Sequence, residues 1–462
     1  MTWRELSRVF FEPRWLYRAT FGAKRKREQV YNFTSVLAEL AVGTASLLIL
    51  SLYIPQALPV FGLIAGYQIL STSFHIPLID AVTAARMHRS SGERAFVSYV
   101  RAFVLGFLPY VVTMMWFMPR IAEDAAQVGV SWGVFGGPLL TVSLITEAMF
   151  RTARAIEMGR LRATGAFVAF ANVSFAMALA QLMAVFVLVV AGTLWTITAL
   201  VALAVYLVVP EIVALIVGAA ARSRAATRPN SSRVFVNSDF RFTRVFAVAL
   251  LGASLSPTVF AAFTTAVASR FPTLYPALAF MPVLFGFLLS VGIAANVTVV
   301  PRLARLILTR RSNLGRVAAL IKRISRRLIA QQVLCSVVLA GLIAMSGTIL
   351  LENQQADRAF LTLFSAIVGP AFALFSLSSL LMRVVTVIGQ AECYFLATTL
   401  RTLITGVAIF VSLQTVRYPV DLVLVFAIAL SLGSLTGGAI AYSGLRFHLA
   451  RRAPIPTAPK TI

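Results

Sequence analysis

The stretch ANVTVVPRLARLILTRRSNLGRVAALIKRISRR, residues 295–327, changes from apolar to strongly basic at Pro301-Arg302. Nine Lys or Arg residues follow within 26 positions, and no acidic residue lies among them. Such a run is typical of a nucleic-acid-binding patch or of a loop beside a membrane span. The composition of the flanking sequence decides between these two interpretations.

The chain of 462 residues is 59% hydrophobic and only 12% charged, with a mean hydropathy of +0.87. A soluble domain has about 25% charged residues. Long uncharged runs, such as 245–269 and 422–444, predict a polytopic membrane protein, all-α, with about twelve transmembrane helices. The predicted spans are 33–54, 58–83, 96–118, 133–150, 164–192, 194–219, 245–269, 278–300, 328–350, 359–382, 394–415 and 420–444.

The basic residues are distributed very unevenly over the predicted loops. Because successive loops alternate between the two sides of a membrane, 37 of the 41 Lys and Arg residues fall on one side and 4 on the other. The positive-inside rule places the basic side, with both termini and the 302–327 loop, in the cytoplasm. We expect the membrane to be a bacterial inner membrane. Topology thus accounts for the net charge of +25 without nucleic acid. Anionic phospholipids are the expected partners of these loops.

The same reading divides the chain into five segments. Residues 1–28 form a basic amphipathic tail on the cytoplasmic face, and residues 29–220 form an N-terminal lobe of six helices. The polar stretch 221–244 is a cytoplasmic linker. Residues 245–446 form a C-terminal six-helix lobe, and 447–462 are a cytoplasmic tail.

The two halves carry similar connections. The segment DAVTAARMHRSSGERAFVSYVR (80–101) follows span two, and NVTVVPRLARLILTRRSNLGRVAALIKR (296–323) follows span eight; both contain a basic turn with Gly. The segments after spans four and ten align when Gly159 is paired with Gly389. An even number of spans in each half makes the repeat parallel. Two parallel repeats with a site between them are a plan used by transporters.

Three segments resemble the multidrug/oligosaccharidyl-lipid/polysaccharide flippase superfamily. VTVVPRLARL (297–306) resembles the end of span eight in that superfamily. LLMRVVTVIGQAECYFLATTLRTLITGVAIF (380–410) resembles the turn after span ten, and MFRTARAIEMGRLRATGAFVAFANV (149–173) resembles the turn after span four. The resemblance is to the polysaccharide flippase branch, and it implies a non-enzymatic transporter without a cofactor.

The cargo implied by this resemblance is a polyprenyl-diphosphate-linked oligosaccharide, flipped to the outer leaflet for surface or exopolysaccharide synthesis. Polysaccharide polymerase or synthase subunits are the candidate partner proteins. The branch that flips lipid II has two additional spans and arginines inside its N-terminal lobe. We expect neither in this sequence, which disfavours lipid II as the cargo.

Ionisable residues inside predicted spans are the candidate cavity or coupling residues, because a charge at mid-bilayer costs roughly 2.5–3.5 kcal/mol. They are Glu39, His75, Asp80, Glu147, Glu211 and Arg401. Local explanations compete for some of them: Asp80 as a cap beside Arg86, Glu147 in a pair with Arg151, and snorkelling of Arg401 to the headgroups. Our sharpest hypothesis is that Glu39 and Arg401 face one cavity from opposite lobes.

Residues that bend helices are the candidate hinges. Pro77, Pro210, Pro257, Gly292 and Pro301 fall inside or at the end of predicted spans. Alternating access requires helices to bend, although such residues also occur in static bundles.

Other activities receive little support from the sequence. It has no Gly-x4-Gly-Lys-Ser/Thr loop, and His75, His88 and His448 are too far apart to indicate a metal site. Energy for transport would come from an ion gradient or from consumption of the product. Two alternatives remain: a drug or metabolite cation antiporter of the same fold, and a non-transporting membrane subunit of a polysaccharide synthase or export complex. A membrane glycosyltransferase is disfavoured because the predicted outer loops are short.

Overall fold

The computed structural model describes residues between 31 and 451. The described ranges are 31–42 (without 33, 37, 39 and 40), 74–88, 94–127, 133–192, 197–226, 242–271, 274, 281–308, 314–345 and 355–451. Helices account for nearly all of these residues, and no strand is found among them.

The helical segments are numbered α1 to α12 in chain order. The first two are the helical residues of 31–42 (α1) and of 74–87 (α2). The others are α3 (Arg94–Gln127), α4 (Gly133–Thr164), α5 (Phe167–Gly192), α6 (Ile197–Ala226), α7 (Phe242–Arg270), α8 (Met281–Leu308), α9 (Leu314–Met345), α10 (Gln355–Val387), α11 (Ala391–Thr415) and α12 (Pro419–Arg451).

Many of these helices present apolar side chains outward. Within the described residues, six helices contain a stretch long and apolar enough to cross a membrane, namely α5, α6, α9, α10, α11 and α12. Large apolar side chains such as Leu179 and Met183 on α5 and Phe410 on α11 are mostly exposed. An apolar surface of this extent is stable in lipid and not in water.

Several helices continue beyond the predicted spans, toward the face predicted to be cytoplasmic. Helix α4 runs to Thr164, although its apolar stretch ends near residue 150. The predicted end of span eight at residue 300 is too early, because α8 runs through Pro301 to Leu308. The run 302–327 is therefore helical for most of its length, at the end of α8 and the start of α9. A proline removes only one hydrogen bond, and the rest of a packed helix can hold it in place.

The helices pack as two lobes that follow the chain order. In the first half, α6 packs against α4 and α5, and α3 packs against α4. In the second half, α10 packs against α8, α9 and α12, and α11 packs against α7 and α12. The core of the second lobe is rich in stacked phenylalanines, such as Phe263, Phe364 and Phe426. Other apolar clusters are shared between the lobes, since Met87 of α2 packs with residues of α8 and α10, and Phe246 of α7 packs with residues of α2 and α4.

The two lobes contain the same turn at equivalent places, and the turn corrects the alignment made from sequence. Gly165 after α4 has φ +80°, and Gly389 after α10 has φ +93°. Residue 166 donates to Leu161 across the first turn, at 2.9 Å, and Gln390 donates to Val385 across the second, at 2.8 Å. Both turns end a helix with a glycine in the left-handed region. Gly389 therefore corresponds to Gly165 and not to Gly159.

Gly159 has a different role, which is close packing. A Cβ built at this position would lie 2.8 Å from the Cβ of Val82 on α2, so α2 and α4 can approach only because the side chain is absent. At this crossing the Thr83 hydroxyl lies 3.3 Å from the Gly159 carbonyl oxygen and donates to it. The contact fixes the position of α2 and its acidic residue beside α4.

Candidate functional site

Helix α4 carries a row of charged residues that are buried. Glu147, Arg151, Arg154 and Arg162 are separated by four, three and eight positions, which places them on one face of the helix. All four side chains are shielded from solvent. A buried charge is strongly unfavourable unless it is paired, so the partners of this row decide what the face does.

The first group of partners joins α4 to α6. Arg151 forms ion pairs with Glu147, one turn earlier, and with Glu211 of α6, where Nε lies 3.2 Å from Oε1. The competing explanation, that Glu147 pairs locally with Arg151, is therefore correct in part. The same arginine also binds a carboxylate 60 positions away.

Arg154 extends this network to α2. Its Nε lies 2.6 Å from Glu211 Oε2, and its Nη2 lies 3.5 Å from His75 Nδ1. Because a guanidinium only donates, Nδ1 of His75 is the acceptor in this contact. The N-lobe network thus contains two carboxylates, two guanidiniums and one imidazole, with the formal charges balanced.

A second group lies where the two lobes meet. Arg162 of α4 forms an ion pair with Asp80 of α2, and its Nη2 donates to the Asn296 carbonyl oxygen of α8 at 2.8 Å. Arg383 of α10 approaches the other oxygen of Asp80, with Nε 3.8 Å from Oδ2. A single carboxylate therefore has an arginine from each lobe on its two oxygens. We call Asp80, Arg162 and Arg383 the inter-lobe triad. The Asn296 carbonyl oxygen is an additional acceptor of Arg162.

Helix ends supply further contacts at the same junction. Arg305 of α8 donates to the carbonyl oxygen of Ala163 in the last turn of α4. Nε2 of His88, at the end of α2, lies 2.9 Å from the carbonyl oxygen of Val387 in α10, and it must donate because a carbonyl only accepts. The last carbonyls of a helix have no partner within it and carry partial negative charge, so a basic side chain is a favourable cap.

Arg401 lies inside the C-terminal lobe. Its side chain is 3% exposed, its Nη1 donates to the Ser379 hydroxyl at 3.2 Å, and its guanidinium carbon lies 4.2 Å from the centre of the Phe375 ring. This burial excludes the snorkelling explanation, because the head group does not reach the lobe surface. Glu39 lies outside the described residues, so the pairing of Glu39 with Arg401 stays a prediction.

The candidate hinges fall in helices. Pro77 lies in α2 and is buried, Pro210 lies in α6 beside Glu211, and Pro257 lies in α7. Gly292 of α8 has a packing role, since a Cβ there would lie 2.5 Å from the Ser376 hydroxyl. Their function as hinges stays a prediction.

The sequence analysis missed the arginines that hold these groups together. Arg151, Arg154 and Arg162 were counted as loop charges, but they are buried within or against the N-terminal lobe. The expectation that this lobe contains no arginine is therefore wrong, and it no longer argues against lipid II. The available signal was that no proline interrupts the helix after residue 150 and that the charges recur on one helical face.

The structure is similar to solved membrane transporters across nearly its whole length. A mutant of the Vibrio cholerae MATE transporter VcmN matches with a TM-score of 0.69 and 14% identity, over 92% of this chain and 96% of that chain. An outward-facing multidrug resistance MATE family transporter of the MOP superfamily matches with a TM-score of 0.68 and 12% identity, over 93% of this chain and 97% of that chain.

A third match is a MOP superfamily transporter from Pyrococcus furiosus, with a TM-score of 0.63 and 13% identity over 92% of this chain and 96% of that chain. It is described as having a binding pocket of reversed polarity that suggests a different function. No family model matches the sequence, and no curated protein does. The structural matches confirm the predicted fold class, an all-α membrane protein with twelve helices in two lobes.

Proposed function

We propose that the chain is a membrane transporter of the MOP superfamily, and that its two lobes rock against each other to expose the space between them to alternate faces. The observation that carries this proposal is the composition of the junction between the lobes. Its polar contacts join a side chain of one lobe to a carboxylate or a backbone carbonyl of the other. Contacts of this kind can exchange with water when the lobes part.

The inter-lobe triad supports an anionic cargo. Arg162, Arg383 and Arg305 meet at the junction with Asp80 as the one carboxylate among their described contacts there. A guanidinium has a planar fork of donors that suits the oxygens of a phosphate. We therefore favour a polyprenyl-diphosphate-linked oligosaccharide, which carries about two negative charges, as the cargo.

The N-lobe network is the candidate coupling site. Glu147, Glu211 and His75 are protonatable groups in a buried setting, and Arg151 and Arg154 hold them together. Protonation of one carboxylate would remove the negative charge that balances a buried arginine, and the network would therefore rearrange. Such a rearrangement is how an ion gradient would act on the first lobe.

Reconstitution into liposomes tests the cargo. The inner leaflet is loaded with a fluorescent polyprenyl-diphosphate oligosaccharide, and its arrival outside is measured with an impermeant quencher. We expect transport that requires the protein and is reduced when Arg162 is changed to Gln. Absence of flipping under an imposed proton or sodium gradient would overturn the proposed cargo.

A cation antiporter is the second candidate, because one matched structure is a multidrug resistance transporter. It would accumulate ethidium or a similar organic cation in everted vesicles. The buried carboxylates Glu147 and Glu211 are each bound by arginines, which makes them poorly available to a cationic drug. We therefore expect no ethidium transport, and accumulation above that of empty vesicles would favour the antiporter.

A further inference from the structure

The inter-lobe triad has the geometry of an anion site that the protein fills with its own carboxylate. Arg162 lies on one oxygen of Asp80 and Arg383 lies on the other. Two guanidiniums face one carboxylate, which leaves an excess of one positive charge. We propose that a diphosphate group displaces Asp80 from Arg383, and that this exchange releases the lobes at the face predicted to be cytoplasmic. The inference rests on the proposed movement of the lobes.

The two arginines differ in how firmly they are held. Arg162 is 2% exposed and has two partners, Asp80 and, at 2.8 Å, the Asn296 carbonyl oxygen. Arg383 is 13% exposed, and its Nε is 3.8 Å from Asp80, which is longer than a hydrogen bond. An incoming anion would therefore meet Arg383 first, and the contact that it must replace there is the weaker one.

Parting of the lobes leaves positive charge on the C-terminal lobe. Arg383 loses Asp80, and Arg305 loses the Ala163 carbonyl oxygen. Asp80 stays with Arg162, because both belong to the N-terminal lobe. The two guanidiniums of Arg305 and Arg383 would together match the roughly two negative charges of a diphosphate. A ligand that binds the parted state better than the closed state shifts the population toward it.

The distance between the lobes tests this inference without a transport assay. Spin labels are attached at Thr164→Cys on α4 and Lys322→Cys on α9, two exposed positions, in a chain whose Cys335 and Cys393 are replaced by Ser. The distance distribution is recorded in nanodiscs by pulsed electron resonance. Arg383→Ala removes one arm of the triad, and we expect it to raise the ratio of long to short distances by about tenfold.

Arg160→Ala is the matched control. This arginine lies on α4 close to Arg162, but its contacts stay within the N-terminal lobe: it pairs with Glu157 on the same helix, at 2.8 Å, and lies 4.6 Å from the centre of the Tyr99 ring on α3. We expect the control to leave the distances unchanged. Asp80→Asn should act in the same direction as Arg383→Ala, and Arg383→Ala remains informative if burial of Arg162 prevents the Asp80 variant from folding. Unchanged distances in a folded Arg383→Ala protein would overturn the proposal that the triad holds the lobes together.

Three additions identify the anion. Sodium pyrophosphate and nanodiscs with undecaprenyl diphosphate should both lengthen the distance in the wild type, and neither should lengthen it further in Arg383→Ala. Nanodiscs with phosphatidylglycerol carry a phosphate from the ordinary membrane and should have no effect. Lengthening by phosphatidylglycerol alone, or no response to either diphosphate, would overturn the proposal. These outcomes do not depend on whether the protein flips an oligosaccharide, so failure of the cargo assay and failure of the proposed lobe release are separate results.

Discussion

Arg305 of α8 donates a hydrogen bond to the carbonyl oxygen of Ala163 in the last turn of α4, so a side chain of the second lobe caps a helix of the first. The reverse contact also exists, because His88 at the end of α2 donates to the carbonyl oxygen of Val387 in α10. Each lobe therefore supplies a basic cap for a helix end of the other. Water can satisfy these polar helix-end groups when the lobes part.

Glu211 is predicted to be essential for the stability of the first lobe. It binds both Arg151 and Arg154, and all three side chains are buried. Glu211→Gln would leave two buried guanidiniums without their shared charge, and we expect it to lower the free energy of unfolding by about 3–5 kcal/mol. Denaturant unfolding in mixed micelles measures this change.

The matched control is Glu392→Gln, which breaks the ion pair of Glu392 with Arg244. Both partners of that pair are largely exposed, so the loss should be about 1 kcal/mol or less. Equal losses for the two variants would show that the N-lobe network is not held by its charges.

The glycines after α4 and α10 are predicted to respond alike to substitution. Gly165 and Gly389 have φ of +80° and +93°, where an L side chain is strained. Changing either to Ala should cost about 1–2 kcal/mol of stability. Gly406→Ala on α11 is the control, because a Cβ there meets nothing within 4 Å and φ is not positive. Thermal unfolding would contradict the equivalence of the two turns if only one of them were sensitive.

Hydrophobicity alone was sufficient to predict the fold class but not the ends of its helices. The apolar runs located α5 and α11 within about three residues, since lipid contact requires an uninterrupted apolar surface. Hydrophobicity did not show that α4 continues to Thr164. Past residue 150 this helix contains charged residues and is stabilised by contacts with other helices. The same limit explains why the continuation of α8 past Pro301 to Leu308 was not predicted.

The candidate site was predictable only in part. The rule that buried charges are functional singled out His75, Asp80, Glu147 and Glu211, and the structure places all four in the two charge groups. The acceptor of Arg162 on α8 is a backbone carbonyl, which has no signature in the sequence. The contact between Asp80 and Arg383 depends on how the two lobes pack, so no local sequence pattern predicts it.

The topology is open to a direct test. We predict that Ser312→Cys, between α8 and α9, is labelled by an impermeant maleimide only after the cells are opened. Arg417→Cys, between α11 and α12, should be labelled in intact cells. Both variants are made in a chain without its two native cysteines. Labelling of the Ser312 variant from outside would reverse the orientation that the positive-inside rule assigns.

Arg401 is predicted to need its planar head group. The guanidinium lies over the Phe375 ring and donates to the Ser379 hydroxyl, and Lys would keep the charge but lose the fork and the stacking surface. We expect Arg401→Lys to reduce oligosaccharide flipping at least about tenfold, whereas Arg417→Lys, at an exposed position, should leave it unchanged. Flipping at the wild-type rate by Arg401→Ala would remove this residue from the mechanism.

The pairing of Glu39 with Arg401 adds a second measurement. Glu39→Gln removes a charge at nearly constant volume, so we expect impaired flipping with normal insertion and folding. If the two residues share one cavity, the double variant Glu39→Gln/Arg401→Gln should lose less than the sum of the single losses. Simple additivity would show that the two side chains act independently.

Reversible cross-linking of the junction tests the movement of the lobes most directly. Ala163→Cys and Arg305→Cys are combined in a chain without native cysteines and bridged by a short bis-methanethiosulfonate, because the Arg305 side chain contacts the backbone of residue 163. We predict that the bridge stops flipping of the polyprenyl-diphosphate oligosaccharide in liposomes, and that reduction restores the rate of the untreated double variant. The same reagent should leave the rate of each single-cysteine variant at the value that the variant had before treatment. Full flipping with the bridge quantitatively in place would contradict the account, because the lobes would then not need to part at this face.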